Sequence, residues 1–249
     1  MKLKHLDLFS GIGGFALAAQ RAGFETVGLS EIDEHACRVL ARHWPNVRNY
    51  GNIRNADFSG LRDAVAVVSG GFPCQPFSYA GERRGANDDR HLWPAMLGAI
   101  DTIRPAWVLG ENVPGLITLG LDQVLADLES RGYASQSFVV PACAVGGGHR
   151  RDRIWICAHA QREGWKRHLA HDGLSGGEGE AHAELGDRIA GSWDEMAGRA
   201  RNLRSGDGLS VQVVRNEVKG YGNAIVPEIA EVFFRLIVQI EASAFAEAH

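Results

Sequence analysis

An open α/β fold built on a doubly wound, mostly parallel sheet is predicted by three features of the sequence. Short apolar runs that read as buried strands alternate with stretches of helical length and helical periodicity. The first strand joins its helix through a glycine-rich turn, Ser10-Gly11-Ile12-Gly13-Gly14, and an acid, Glu31, closes the next strand twenty residues after Gly11. Two later apolar runs lead into chemistry-bearing residues, Cys74 and Glu111. Such residues are expected at the carboxyl rim of a parallel sheet, where ligands bind.

The elements follow in order. Residues 3–8 form a strand, residues 15–22 a helix and residues 26–30 the second strand. A helix over 33–43 stops ahead of Pro45, because the residue before a proline avoids helical backbone. A third strand near Val47 leads to Asn52 and Ile53, and residues 64–69 form the fourth. Residues 78–91 are polar and too long for a passive connection, so they read as a functional loop. A helix over 92–103 and a strand over 106–109 lead to Glu111-Asn112-Val113-Pro114-Gly115. A helix over 121–131 and strands over 138–140 and 154–157 complete the sheet. From about residue 160 to 207 the composition turns to Gly, His, Glu and Ala, with little core signal. A closing helix over 228–241 begins at Pro227, which suits a first helical turn.

The glycines after the first strand let backbone approach a ligand at a helix N-terminus. Glu31 is placed to bond ribose hydroxyls. The spacing Gly11-x-Gly13-x-x-Ala16 also fits a dinucleotide turn, and alone it does not separate NAD from S-adenosylmethionine. A tight turn without a ligand would carry the same glycines, but it would not need the acid.

An isolated cysteine is usually a small buried hydrophobe. Cys74 stands between Pro73 and Gln75-Pro76. Two prolines stiffen the turn and aim the thiol at one place, as a nucleophile requires. Glu111-Asn112 at the end of a strand could equally cap a turn. Arginine dominates the positive charge: Arg83, Arg84 and Arg90; Arg150, Arg151 and Arg153; and Arg199, Arg201 and Arg204. Such forks suit phosphates and guanine edges when they are not simply solvated.

The chain has 249 residues and a net charge of -4, so charge distribution rather than its sum has to argue for nucleic acid. No apolar run reaches membrane-spanning length. The N-terminal residues enter a strand pattern without a signal-peptide core. The four cysteines, Cys37, Cys74, Cys143 and Cys157, form no paired motif. They read as reduced thiols of a cytoplasmic protein, with no metal site.

Taken together these motifs resemble the DNA (cytosine-5)-methyltransferase family, most closely its short bacterial and phage-type members. Asp7-Leu8-Phe9-Ser10-Gly11-Ile12-Gly13-Gly14 is similar to the first cofactor motif, and Glu31-Ile32 to the ribose and adenine contact. Gly71-Phe72-Pro73-Cys74-Gln75-Pro76-Phe77-Ser78 resembles the catalytic motif, and Glu111-Asn112-Val113 the motif that holds the target base. Arg151-Asp152-Arg153 resembles the paired-arginine motif, and Gly222-Asn223-Ala224 the last cofactor motif. Asn52 departs from the aspartate usual at its position, and Gly148-His149 stand where proline-glutamine is common.

The resemblance implies a Rossmann-like S-adenosylmethionine-dependent methyltransferase fold with a small target-recognition region. Residues 1–159 plus 218–249 would form the catalytic and cofactor domain, and residues 160–217 the recognition region. It implies Cys74, Glu111, Arg151 and Arg153 as catalytic residues. S-adenosylmethionine would meet Asp7, Phe9, Ser10, Gly11, Gly13, Gly14, Glu31, Ile32, Asn52, Ile53, Pro73, Leu92, Asn223 and Ala224. The DNA substrate would meet Gln75, Ser78, Arg83, Arg84, Arg90, Asn112 and Arg150. The expected partners are duplex DNA and a cognate restriction endonuclease, and the expected state is a monomer. Three other readings stay open at this point: methylation of cytosine in tRNA, a DNA-binding relative without catalysis, and an NAD-dependent oxidoreductase.

Overall fold

The computed structural model describes residues 2–73, 92–145, 151–161 and 225–246. Cys74, Gln75, Ser78, Arg83, Arg84, Arg90, Arg150, Asn223, Ala224 and the expected recognition region, beyond Gln161, lie outside the described residues.

The sheet has seven strands: β1 (Lys4–Leu8), β2 (Glu25–Ser30), β3 (Arg48–Asn49), β4 (Val67–Gly70), β5 (Trp107–Asn112), β6 (Tyr133–Pro141) and β7 (Asp152–Ala160), in the order β3-β2-β1-β4-β5-β7-β6. β1 to β5 are mutually parallel, while β7 runs antiparallel to both β5 and β6. Strands with apolar residues on both faces need helices on both sides. Here one side is covered by α1 (Gly14–Arg21), α2 (Glu34–His43) and α6 (Pro227–Ala246), the other by α3 (Trp93–Ile103), α4 (Leu116–Leu119) and α5 (Leu121–Glu129). Side chains alternate accordingly. In β5, Val108 joins the core under α3, whereas Trp107 and Leu109 join the core under α1 and α6.

Helix ends follow local chemistry. Asp33 caps α2, accepting from the Ala36 amide at 2.9 Å. α1 begins after Gly13, whose φ of 90° is the left-handed region a glycine adopts without strain. A side chain there would also collide with the Trp44 ring.

Several elements differ in extent from the sequence expectation, among them α6, which runs on to Ala246. β5 runs on through Glu111 and Asn112, placing both in the strand rather than in a turn beyond it. β6 and β7 are nine residues each. Ser135, Gln136 and Ser137 hid the start of β6, because an edge strand tolerates polar residues that an apolar-run reading rejects. β4 is shorter than expected at its start: residues 64–66 precede it, beyond a turn in which Ala64 bonds back to Leu61. The four-residue α4 is too short for periodicity to reveal.

α6 closes the domain from far along the chain. Phe234 on α6 is fully buried, edge-on to His5 at 5.0 Å and against Phe24 at 5.1 Å. Phe234→Ala is expected to cost about 3–5 kcal/mol of unfolding free energy, read by urea denaturation. A loss within ~0.5 kcal/mol would show that α6 is not integral to the core.

Candidate active site

The order of strands reverses between β1 and β4, so the crevice at their carboxyl ends is the topological switch point of the sheet. Two loops leave from it: Phe9–Gly13 after β1 and Gly71–Pro73 after β4. The first loop is held in unusual backbone. Phe9 has φ 54°, Gly11 φ 53° and Gly13 φ 90°. Phe9 carries a side chain in the left-handed region, a strain that collects at functional sites. Hydrogen bonds fix the loop to β2. The Ser10 amide donates to the Ser30 carbonyl at 3.1 Å, the Ser30 amide donates to Ser10 Oγ at 3.1 Å, and Ser10 Oγ donates to the Asp7 carbonyl at 2.8 Å.

Glu31 completes this turn. Its Oε2 accepts from the Gly11 amide at 2.7 Å, and its Oε1 accepts from the Ile32 and Asp33 amides, both at 2.8 Å. A carboxylate offers about four acceptor positions, so three such bonds leave capacity for a ligand hydroxyl. Ile32, beside it, is 67% exposed, an apolar face on the rim. A Cβ built on Gly11 meets nothing within 4 Å, so the backbone there is open to approach. Open glycine backbone, a half-exposed carboxylate and an exposed isoleucine fit the phosphate-free, ribose-and-adenine end of a nucleoside cofactor. Asn52 is exposed on the same rim, in a turn where its Oδ1 accepts from the Arg54 amide at 3.0 Å. Ile53 points into the core instead.

The second loop is held from β5. Asn112 Nδ2 donates to the Phe72 carbonyl at 2.9 Å, and its Oδ1 accepts from the Val113 amide at 2.9 Å. Asn112 is buried, so its amide clamps the backbone two residues before Cys74. The Phe72 and Trp93 rings lie 5.0 Å apart, so the two ends flanking residues 74–91 sit side by side. Leu92 is half-buried at the start of α3, and Pro73 is exposed.

On the other face of β5, Glu111 meets Arg153 of β7. In the antiparallel register Glu111 stands opposite Trp155, which makes Arg153 its diagonal neighbour on the same face. Arg153 Nε donates to Glu111 Oε1 at 2.9 Å, and its second nitrogen donates to the Asp152 carbonyl at 2.9 Å. Glu111 Oε2 lies 3.1 Å from a Cβ built on Gly71, so the carboxyl borders the loop that carries Cys74. Burial raises the Glu111 carboxyl to about 7, with the Arg153 and Arg151 charges offsetting only part of that cost. Arg151 is half-buried, and burial, then the Arg153 charge, lowers its pKa.

The structure thus gathers Phe9, Ser10, Gly11, Gly13, Gly14, Glu31 and Ile32 at one loop cluster, and Pro73, Glu111 and Arg153 beside it. Asp7, assigned to the cofactor by resemblance, is fully buried: its Oδ2 accepts from the Ala16 amide at 3.2 Å and its Oδ1 from Ser69 Oγ at 3.3 Å. Arg153, which precedes the strand expected over 154–157, stands inside β7 and binds Glu111. Sequence reasoning passed over Asn49, whose Oδ1 accepts from the Glu31 amide at 3.1 Å while its Nδ2 donates to the Glu31 carbonyl at 3.2 Å. It also passed over Ile225, whose Cγ1 lies 2.6 Å from a Cβ built on Gly14, bringing the start of α6 to the glycine turn.

A seven-stranded sheet wound on both faces, with a glycine turn and a buried acid–arginine pair at its switch point, defines a doubly wound α/β protein. Residues 3–193 match the C-5 cytosine-specific DNA methylase family, and the chain belongs to that family. It is 41% identical over 128 residues to the Type II methyltransferase M.Eco47II of Escherichia coli, covering 50% of this chain and 30% of that protein. It is 43% identical over 136 residues to the Type II methyltransferase M.PspPI of a Psychrobacter species, covering 51% of this chain and 32% of that one. The chain therefore spans about a third of the length of these curated relatives. Among solved structures, Schizosaccharomyces pombe Dnmt2 methyltransferase superposes with a TM-score of 0.63 at 14% identity, over 96% of this chain and 99% of that one, which establishes the fold. The fold is the Rossmann-like S-adenosylmethionine-dependent methyltransferase fold that the resemblance implied.

The buried groups predict how stability depends on pH. Burial raises Asp7 to about 8 and lowers His5 to about 3. A carboxyl with a raised folded pKa holds a proton that the unfolded chain has released. Its stabilising contribution is complete below the unfolded value and is lost as pH rises through the folded one. His5 acts in the opposite sense, between about 3 and its ordinary 6.5. Above pH 6.5, then, Glu111 and Asp7 are the two of these groups that still titrate, up to about 7 and about 8. The unfolding free energy should fall by on the order of 1 kcal/mol from pH 6.5 to 8 in denaturant titrations, and Glu111→Gln should flatten the part near pH 7. A rise across that window would contradict the assignment.

Proposed function

We propose that this chain is a DNA cytosine-5 methyltransferase that methylates carbon 5 of a cytosine flipped out of duplex DNA. The observation that carries this reading is the placement of the Glu111 carboxyl, paired with Arg153 and bordering the loop that leads to Cys74, at the same switch point as the glycine turn. A base inside a stacked duplex is out of reach of such a crevice, so the target must be extruded.

Carbon 5 of cytosine is too weakly nucleophilic to be methylated directly. The Cys74 thiolate adds to carbon 6 of the ring, which makes carbon 5 enamine-like. Glu111, with a pKa near neutrality, bonds ring nitrogen 3 and the exocyclic amine and stabilises the charge that develops there. Arg153 holds the Glu111 carboxyl in place for that contact. S-adenosylmethionine, when bound, supplies the methyl group; Phe9, Ser10, Gly11, Gly13, Gly14, Glu31, Ile32 and Asn52 would hold it. Loss of the carbon 5 proton to a base then expels Cys74 and restores the aromatic ring.

The domain reading accords with this. Residues 1–159 plus 218–249 would form the catalytic unit, a division supported by the return of α6 against α1 and β1. Residues 160–217 form the small target-recognition region, and the arginines of residues 83–90 and Arg150 contact the DNA. No helix among the described residues is long and apolar enough to cross a membrane. The chain acts as a cytoplasmic monomer, alongside a cognate restriction endonuclease.

Tritium transfer from labelled S-adenosylmethionine, compared on duplex DNA and on tRNA, tests the reading. Label should enter duplex DNA; label in tRNA alone would assign the activity to RNA. Cys74→Ala should abolish transfer while duplex binding persists, and retained transfer would remove Cys74 from the chemistry. Glu111→Gln should slow transfer by about 100-fold or more if the carboxyl acts as an acid. A wild-type rate would reduce Glu111 to a structural partner of Arg153.

A further inference from the structure

A line of buried polar side chains crosses the face of the sheet under α1 and α6, and the proposed reaction does not use it. Thr26 on β2, His5 and Asp7 on β1, and Ser69 on β4 share that face through cross-strand register: His5 opposes Thr26, and Asp7 opposes Ser69. His5 Nδ1 lies 3.0 Å from Thr26 Oγ1, and His5 Nε2 lies 2.8 Å from Ser69 Oγ. Ser69 Oγ donates to Asp7 Oδ1 at 3.3 Å. His5, Ser69 and Asp7 have no exposed surface.

Donor arithmetic ties the direction of this line to the protonation of Asp7. Where Asp7 is ionised, Ser69 gives it its one hydroxyl proton and accepts from His5 Nε2–H, so Nδ1 accepts from the Thr26 hydroxyl. Where Asp7 holds its proton, Asp7 donates to Ser69 and the line runs the other way; in both states Ser69 stays bonded to the carboxyl. Burial keeps the ring neutral, with a single N–H to give. The position faces Phe234, where an aliphatic side chain would pack without any of these requirements. Buried polar groups at such a place are costly unless every partner is present.

The line ends at α1. The residue before α1 is Gly13, which has no side chain to cap the helix. Asp7 does so instead from the preceding strand, accepting the amide of Ala16, the third residue of the helix. Asp7, Phe9, Ser10 and α1 are continuous chain, so the aim of the Asp7 carboxyl sets the shape of the turn between them. We propose that His5 and Ser69 are positioning residues for the cofactor turn: they hold the Asp7 carboxyl on the Ala16 amide and so fix the backbone of Ser10–Gly14. This inference rests on the assignment of that turn to S-adenosylmethionine.

Two readouts on the full chain test it: amide hydrogen exchange at Ala16 without ligand, and calorimetric affinity for S-adenosylmethionine. Ser69→Ala and His5→Leu should both accelerate exchange at Ala16 and weaken binding by about 10-fold, the worth of one buried hydrogen bond. Turnover at saturating S-adenosylmethionine should hold near wild type, so the loss appears in KM. His5→Gln keeps a side-chain N–H near the Nε2 position and should recover most of both readouts. Unchanged exchange and affinity in Ser69→Ala would overturn the positioning role. If His5→Leu does not fold, Ser69→Ala carries the comparison. A wild-type chain whose Ala16 exchange responds to Ser69→Ala but which has no affinity for S-adenosylmethionine would overturn the inference through the cofactor assignment, and leave the helix cap itself established.

Discussion

The contact between Glu111 and Arg153 depends on a single antiparallel strand in an otherwise parallel arrangement. β5 delivers Glu111 to the carboxyl rim, where parallel strands place their functional residues. β7 comes from the opposite direction and delivers Arg153 to the same level, at 2.9 Å. A parallel neighbour would bring its own residue to the rim only at its far end. The long hairpin of β6 and β7 is therefore more than an edge to the sheet: it supplies the cation that lets a carboxyl be buried there at all. Burial without that partner would cost several kcal/mol. With it, the acid stays near neutrality, where it can give or share a proton.

The two faces of β5 divide the work. Glu111 turns toward the α1 and α6 side and borders Gly71. Asn112, next in sequence, turns toward the α3 side and clamps the Phe72 carbonyl. Adjacent residues in one strand thus set a carboxyl beside Gly71 and hold the Phe72 carbonyl of the chain leading to Cys74. The same alternation in β1 sends Leu6 and Leu8 into one core and His5 and Asp7 into the other layer, against α6 and α1. The site is built from ordinary strand periodicity, with polar residues at positions where the facing helix or loop needs a hydrogen bond.

Much of this was legible in the sequence. Apolar runs gave the strands, and the Gly11 turn and Glu31 stood out as elements that the structure joins by a 2.7 Å hydrogen bond. Motif order gave the family. What was not legible depends on contacts between distant residues. Asp7 lies inside a cofactor motif, yet its side chain turns inward to cap α1, and only the packing of β4 against β1 shows this. Arg153 reads as part of a basic loop because glycines and arginines precede it, whereas β6 pairing draws it into a strand. Asn49 follows no motif, and its grip on Glu31 arises from the two-residue pairing of β3 with β2. Ser135 to Ser137 hid a strand because edge positions do not need apolar residues.

The most direct measurement is mass spectrometry of the chain incubated with S-adenosylmethionine and a DNA duplex bearing 5-fluorocytosine at the target position. Fluorine cannot leave carbon 5 as a proton does, so the thiol would be trapped on carbon 6. The account predicts one stable adduct, carrying the transferred methyl and mapping to the peptide that contains Cys74. A duplex methylated at its ordinary cytosines by a chain that forms no such adduct, or an adduct mapped to another residue, would contradict it.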